Sequence, residues 1–451
     1  MQGGLGEGRR KKPAAASTKE EAMPLEKLMV SGGVPLKGVV RVSGSKNACL
    51  PILAATVLTP ETCIIRNVPD LADVRTMCSI LKWLGVQVRH DRRAGVIETK
   101  AENPLGVAPY DLVRKMRASV CLLGPLLARL HNCKVSMPGG CVIGNRPIDQ
   151  HIKGLTRLGA QVIMENGYVH AKCGELVGTD VFMGGRFGST VTGTANILMV
   201  AVLATGTTVI ECAACEPEIE DLAAFLNKMG AKIKGAGGPT LEIEGVSALH
   251  GADHTIIADR IEAGTFMVAA AVTGGDVEIK GACASHLGAV RDKLEEAGVT
   301  VQRNNGTIRV TGGATRRPLE ITTMPYPGFP TDMQAQMCAL MSITPGISVV
   351  TEKIYPNRFM HISEMARLGA DVAIETNTAI IKGVERLSGA PVMASDLRAS
   401  AGLILAGLAA EGQTDIKRIY HLDRGYEHID QKLRELGACI EREEDDDNSG
   451  S

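Results

Sequence analysis

A sixfold internal repeat constrains this chain more than any other feature. A helical stretch that ends in an apolar residue and a glycine, then runs straight into a strand, recurs along the chain. The copies read LKWLGVQV from Leu81, LTRLGAQV from Leu155, LNKMGAKI from Leu226, KLEEAGVTV from Lys293, EMARLGADV from Glu364 and KLRELGACI from Lys432. Their glycines are Gly85, Gly159, Gly230, Gly298, Gly369 and Gly437, spaced about 70 residues apart, a period that marks a repeated supersecondary unit. Glycine enters the left-handed backbone region without a side-chain clash, so each is predicted to cap a helix C-terminus. The alternation of apolar and polar residues after each glycine predicts a half-buried strand.

Ahead of each copy lies a second helical stretch that is apolar nearly all round. These are NACLPILAATVL from Asn47, RASVCLLGPLLARL from Arg117, TANILMVAVLA from Thr194, AGTFMVAAAV from Ala263, DMQAQMCALMSI from Asp332 and RASAGLILAGLAA from Arg398. A helix without a polar face must be buried on every side. Each unit therefore reads as strand, buried helix, strand, outer helix, strand. The long and unequal Gly-rich connections, and the lack of capping units, argue against a solenoid. The expectation is an α/β protein (α+β in some schemes) of two globes with helices inside and sheets outside. The first globe spans residues 46–254 and the second joins 28–45 to 255–443. Residues 1–27 and 444–451 are read as tails, with the acidic run from Glu441 already tail-like in composition.

Composition narrows the function. The 49 basic and 50 acidic side chains nearly cancel, so no global field draws in nucleic acid or an anionic membrane. No stretch approaches the roughly 20 apolar residues of a membrane span. The N-terminus lacks the basic-then-apolar order of a secretory signal, and the expected location is cytoplasmic. The 12 cysteines then read mostly as reduced, buried small apolar residues. With aromatics at only 3 %, the core must be aliphatic. No HExxH or His/Cys cluster suggests a metal, and there is no phosphate-binding Walker loop and no GxGxxG after a strand.

The polar residues that stand out lie at element ends, where anions bind. SGSKNA places Lys46 and Asn47 at the start of a buried helix, and RKMRAS does the same for Arg117. Arg358 in NRFMH, Arg398 in SDLRAS and Arg424 in LDRGYEH complete a set of cations able to clamp a phosphate and a carboxylate. Asp332, after GFPT, reads first as a helix cap and second as a general base. ADRIEAGTF is a similar polar helix start with Asp259 and Arg260, and TVTGTAN at Thr190–Asn196 could contact a diphosphate. The loop SMPGGCVIGNRP carries Cys141 and Arg146 among Gly139, Gly140 and Gly144. A mobile thiol beside a cation suits a lid that brings an acid or a nucleophile to an anion.

GSKNACLPIL, APYDLVRKMRAS, PGGCVIGNRPID, ADRIEAGTF, FPTDMQAQ, NRFMH, SDLRASAG and YHLDRGYEHI occur here in one order between about Leu28 and about Glu443. In that order the chain resembles the enolpyruvyl transferases, and among them the branch that acts on UDP-N-acetylglucosamine. The resemblance implies two inside-out α/β barrel domains with the active site between them. It implies transfer of the enolpyruvyl group of phosphoenolpyruvate to the sugar 3-hydroxyl, the first committed step of peptidoglycan synthesis, through a tetrahedral ketal and without a cofactor. By position, Cys141 would be the general acid and the residue alkylated by fosfomycin. Lys46, Arg117, Arg146, Arg398 and Arg424 would surround phosphoenolpyruvate, with Lys46 and Arg424 also catalytic. Asp332 would bind the sugar hydroxyl as base. Asn47 and Arg358 would serve the sugar-nucleotide side, Thr190, Val191, Thr192 and Gly193 the diphosphate, and Ile354 the base or sugar. Thr190–Gly193 departs from the Ser-Val-Gly often found in this loop. Cys215 stands where the family commonly has Arg, and Tyr355 and Pro356 precede Asn357. Two other readings remain: the sister transferase acting on shikimate 3-phosphate, which lacks the Gly-Gly-Cys lid, and an inactive UDP-sugar-binding paralogue.

Overall fold

The structure, a computed structural model, describes residues 26–137, 148–304, 306–313 and 315–445. Among the described residues, six four-stranded sheets follow one plan. In the second unit the strand Val107–Ala108 pairs in parallel with Asn132–Ser136, which pairs antiparallel with Tyr168–Lys172, which pairs antiparallel with Gln161–Glu165. Each unit therefore holds one strand more than the sequence pattern predicts. The capping glycine leads into a hairpin, not a single strand. Asn166-Gly167 turns this one, both at positive φ, and Asn-Gly between alternating runs is a strong hairpin signal that the repeat reading passed over.

The sheets enclose the apolar helices. Every residue of Gln334–Ser342 is buried, as are 261–272 of the helix Arg260–Thr273 and 398–408 of Leu397–Ala409. Two of the six inner stretches begin as a 3-10 turn, Arg117–Leu122 before Leu123–Leu130 and Thr331–Met333 before Gln334–Ser342. The buried apolar side chains fall into two clusters. One is drawn from Ala48 to Ile256, the other from Leu28–Val42 and Ile261–Ile440. Packing three helices inside each ring of sheets demands close backbone approach. A Cβ on Gly124 would stand 2.6 Å from the Asn196 carbonyl oxygen, and one on Gly402 2.9 Å from that of Ala335. Among the described residues, no helix is long and apolar enough to cross a membrane.

The chain passes between the halves twice, side by side. Strand Lys37–Arg41 pairs with Asp276–Lys280 of the second half, and Asp253–Thr255 pairs with Ile64–Arg66 of the first. The two crossing segments meet where Gly44 bridges Ala258. Strand Glu26–Ser31 lies between Gln413–Lys417 and Cys439–Glu444. Glu26, Lys27 and Glu441–Glu444, given to tails in the sequence reading, are thus part of a sheet.

All six repeat glycines have positive φ, from +82° at Gly85 to +101° at Gly159. All six make the same pair of bonds. In the first copy the Gly85 N–H donates to Lys82 O and the Val86 N–H to Leu81 O, and in the last Gly437 N–H donates to Arg434 O and Ala438 N–H to Leu433 O. This is the Schellman closure, which satisfies carbonyls that a helix end leaves open. Gly369→Ala and Gly298→Ala separate two costs. At Gly369 nothing lies within 4 Å of an added Cβ, whereas at Gly298 the Thr315 carbonyl oxygen is 2.5 Å away. Gly369→Ala should lose about 1–2 kcal/mol from the left-handed backbone alone, and Gly298→Ala clearly more. Urea unfolding of the two variants gives the order.

Candidate active site

Polar side chains gather where inner-helix N-termini of the two halves face each other. Asp332 stands in the 3-10 turn Thr331–Met333 and makes no side-chain capping bond. Both carboxylate oxygens are instead taken by arginines of other elements. Arg358 Nη1 donates to Oδ1 at 2.8 Å and Arg398 Nη2 to Oδ2 at 2.9 Å. Burial alone would raise this carboxyl, but Arg398 and Arg358 outweigh it and hold Asp332 well below the usual carboxylate range. Of the two sequence readings of Asp332, the geometry excludes the helix cap and leaves an ionised carboxylate with a quarter of its side chain exposed. The caps are Asp259 and Asp396, which accept from the first backbone N–H groups of their helices.

Arg398 is 2 % exposed and lies over the Tyr426 ring. Its Nε and Nη1 have no acceptor among the described residues. A buried donor left unpaired costs about 1–3 kcal/mol, a cost that an anionic ligand would remove. Arg358 also donates to Thr331 Oγ1, and Thr331 in turn to the fully buried Glu352. Glu352 accepts from the backbone N–H of Ile354 and Tyr355 as well, so one carboxylate fixes the segment that carries Ile354.

A second carboxylate, absent from the sequence reading, joins the halves. Asp73 is 4 % exposed. It accepts from Arg424 Nε at 2.9 Å and faces Lys46 Nζ at 3.4 Å. Lys46 begins the helix Lys46–Ala55, and its backbone N–H reaches Asp259 Oδ2 of the other half at 3.4 Å. Burial lowers the Lys46 pKa. Asp73 opposes this, Arg398 and Arg424 lower it further, and Asp332 raises it. Four of the predicted residues, Lys46, Asp332, Arg398 and Arg424, thus share one electrostatic field, with Arg358 bound to the same aspartate. The sequence hid Asp73 as an ordinary acidic residue in the first turn of the outer helix Ala72–Trp83.

The remaining predicted residues are less concentrated. Asn47 is the one residue of Lys46–Ala55 that is not buried. Arg117 opens its 3-10 turn half-buried, close enough to His151 to lower the pKa of that imidazole. Thr190 caps the helix Val191–Ala201 through Gly193 N–H, so Thr190, Val191, Thr192 and Gly193 form a helix N-terminus in the first half. A Cβ on Gly188, just before it, would stand 2.7 Å from Pro325 of the second half, which places this turn at the boundary. Cys141 and Arg146 lie outside the described residues. Among the other cysteines, Cys212 and Cys215 have the short Cys-x-x-Cys spacing that the sequence reading overlooked. Both are half-buried free thiols, and burial raises the Cys215 pKa, with Glu216 and Cys212 adding to it.

The pattern of the family described as EPSP synthase (3-phosphoshikimate 1-carboxyvinyltransferase) matches residues 30–433. A UDP-N-acetylglucosamine 1-carboxyvinyltransferase of Methylacidiphilum infernorum is 56 % identical over 418 residues, which cover 93 % of this chain and 99 % of that protein. The enzyme of the same name from Akkermansia muciniphila is 55 % identical over 428 residues, 94 % of this chain and 100 % of its own. Among solved structures, the enolpyruvyl transferase NikO from Streptomyces tendae superposes with a TM-score of 0.85 at 25 % identity, covering 93 % of this chain and 99 % of NikO. EPSP synthase from Acinetobacter baumannii, at 19 % identity and a TM-score of 0.71 over 93 % of this chain and 100 % of its own, shares the fold.

Asp73 is paired with two cations and offsets part of their charge, so Asp73→Asn should bind inorganic phosphate severalfold more tightly. Lys46 would also lose a carboxylate that raises its pKa. The Lys46 charge, and the binding that depends on it, should then be lost at lower pH in the variant than in the wild type. Calorimetric titration with phosphate across neutral to alkaline pH measures both effects. Weaker binding at every pH would mean that Asp73 chiefly holds Lys46 and Arg424 in place.

Proposed function

The chain belongs to the EPSP synthase family of enolpyruvyl transferases, and from that premise we propose that it transfers the enolpyruvyl group of phosphoenolpyruvate to the 3-hydroxyl of UDP-N-acetylglucosamine. The observation that carries this reading is Arg398, a buried guanidinium that already holds Asp332 and keeps two further donors without an acceptor among the described residues. Lys46 and Arg424, contributed by opposite halves, stand in the same field. A small, highly charged substrate between them would hold the halves together by touching both. The names of the relatives favour the sugar nucleotide over shikimate 3-phosphate.

In this reading the sugar 3-hydroxyl oxygen attacks C2 of phosphoenolpyruvate and its proton passes to Asp332. A proton is delivered to C3 and a tetrahedral phosphate ketal forms. Loss of a proton from C3 and departure of phosphate restore the double bond in the product. Asp332 is a weak base because two guanidiniums stabilise its charge, so it takes the proton late, when C–O bond formation has made the hydroxyl acidic. Lys46, Arg117, Arg146, Arg398 and Arg424 would balance the phosphate and carboxylate, and act most strongly once water is excluded. Cys141 would give the proton to C3 and be the thiol that fosfomycin alkylates. Asn47, Arg358, Ile354 and Thr190–Gly193 would bind the sugar nucleotide.

Phosphate release from phosphoenolpyruvate is expected with UDP-N-acetylglucosamine and not with shikimate 3-phosphate. The reverse result, or none with either, would overturn the reading. Asp332→Asn should lower kcat by about 100-fold or more while UDP-N-acetylglucosamine still binds by calorimetry. Normal turnover would remove the base role. Cys141→Ala should nearly abolish turnover. Cys141→Asp, which keeps an acid, should retain substantial activity and resist fosfomycin.

A further inference from the structure

The polar contacts beneath the helix Val191–Ala201 fix the direction of every hydrogen in a short chain. The Gly124 N–H donates to Asn196 Oδ1 at 2.8 Å, so the Asn196 amide nitrogen is the donor to Val120 O at 2.9 Å and to His151 Nδ1 at 2.8 Å. A backbone N–H can only donate and a carbonyl can only accept, which sets the orientation of this amide. His151 Nδ1 must therefore accept. The ring is 2 % exposed, and burial, helped by Arg117 and opposed by Asp149, lowers its pKa to about 4. Protonating Nδ1 would also set it against the Asn196 NH2 group. His151 is thus neutral with its proton on Nε2, which lies 3.2 Å from Thr192 Oγ1 and donates to it. The Thr192 hydroxyl hydrogen is left to donate elsewhere, and none of the described residues accepts it.

The place of Thr192 says what should accept. It is the second residue of its inner helix after the cap Thr190, just as Arg398 is the second after the cap Asp396. The outer helices behind them carry matching residues, His151 and His361, one turn or less from their starts. Thr192 therefore stands in the first half where Arg398 stands in the second. It sits on the turn that reaches the boundary at Pro325. A helix N-terminus with a committed hydroxyl donor suits a ligand atom that only accepts and carries charge.

We propose that His151 is a positioning residue for the nucleotide diphosphate: its Nε2–H occupies Thr192 Oγ1 as an acceptor, so that the Thr192 hydroxyl donates to an ionised phosphoryl oxygen. This rests on the sugar-nucleotide reading above. Thr190–Gly193 departs from the Ser-Val-Gly often found in this loop, and the Thr192 hydroxyl adds a side-chain donor to a turn that otherwise offers backbone N–H groups.

Calorimetry with UDP and with uridine, which lacks the diphosphate, tests the assignment. Thr192→Val should weaken UDP about tenfold or more, as expected for losing a hydrogen bond to a charged group, and leave uridine unchanged. Thr192→Ser should bind UDP like the wild type. His151→Phe, which keeps the ring shape but has no N–H, should weaken UDP in the same direction, and adding it to Thr192→Val should cost little more. The imidazole 15N spectrum of the folded wild type should show the Nε2–H tautomer at neutral pH, a readout that does not depend on how the variants fold. Unchanged UDP affinity in Thr192→Val, equal losses for UDP and uridine, fully additive variants, or an Nδ1–H tautomer would each overturn the proposal alone. Failure of the wild type to bind UDP at all would overturn the sugar-nucleotide reading beneath it as well.

Discussion

A helix that is apolar on every side can carry charge only at its ends, and this constraint organises the molecule. Six such helices lie inside two rings of sheets, so whatever polar chemistry the interior holds must collect at helix termini. Lys46, Arg117, Thr192, Arg260, Asp332 and Arg398 all sit at the beginnings of the inner stretches. The inside-out arrangement therefore does more than bury apolar surface. It delivers polar groups from several inner-helix starts to the neighbourhood of one boundary.

That delivery has an electrostatic cost. A helix N-terminus carries partial positive charge and is a poor place for a cation. Lys46 and Arg398 are there nonetheless, each buried. Carboxylates offset the cost: Asp73 for Lys46, Asp332 for Arg398, and Asp259 and Asp396 at the caps themselves. Helix ends and cations act in the same direction there, so an anion that enters is stabilised by both, while the carboxylates offset the buried cations.

The repeat was legible because it rests on local rules. An apolar-Gly pair closes a helix in the same way whatever surrounds it, and all six copies do so. The hairpins were equally local, and Asn166-Gly167 shows that the signal was present. What escaped was distant or disguised. Asp73 looks like a favourable first-turn acid, and its meaning comes from Arg424, 351 residues away. Asp332 looks like a cap because its turn precedes a helix, but two arginines brought from elsewhere claim both its oxygens. His151 gave no signal at all, since its tautomer is decided by an asparagine on a neighbouring helix.

The strand Glu26–Ser31 has a consequence for how the protein is made. Its partners, Gln413–Lys417 and Cys439–Glu444, are among the last described segments to leave the ribosome. At roughly 5–20 residues per second, about 20–80 s separate the first strand from its neighbours. During that interval the half from Ala48 to Ile256 has all the residues of its own core. Leu28 and Val30, destined for the other core, have no sheet partner until the last unit is made. The nascent chain thus carries an unpaired apolar leader past a half that can already fold. The second half can therefore close its last sheet only after both ends of its sequence have been made.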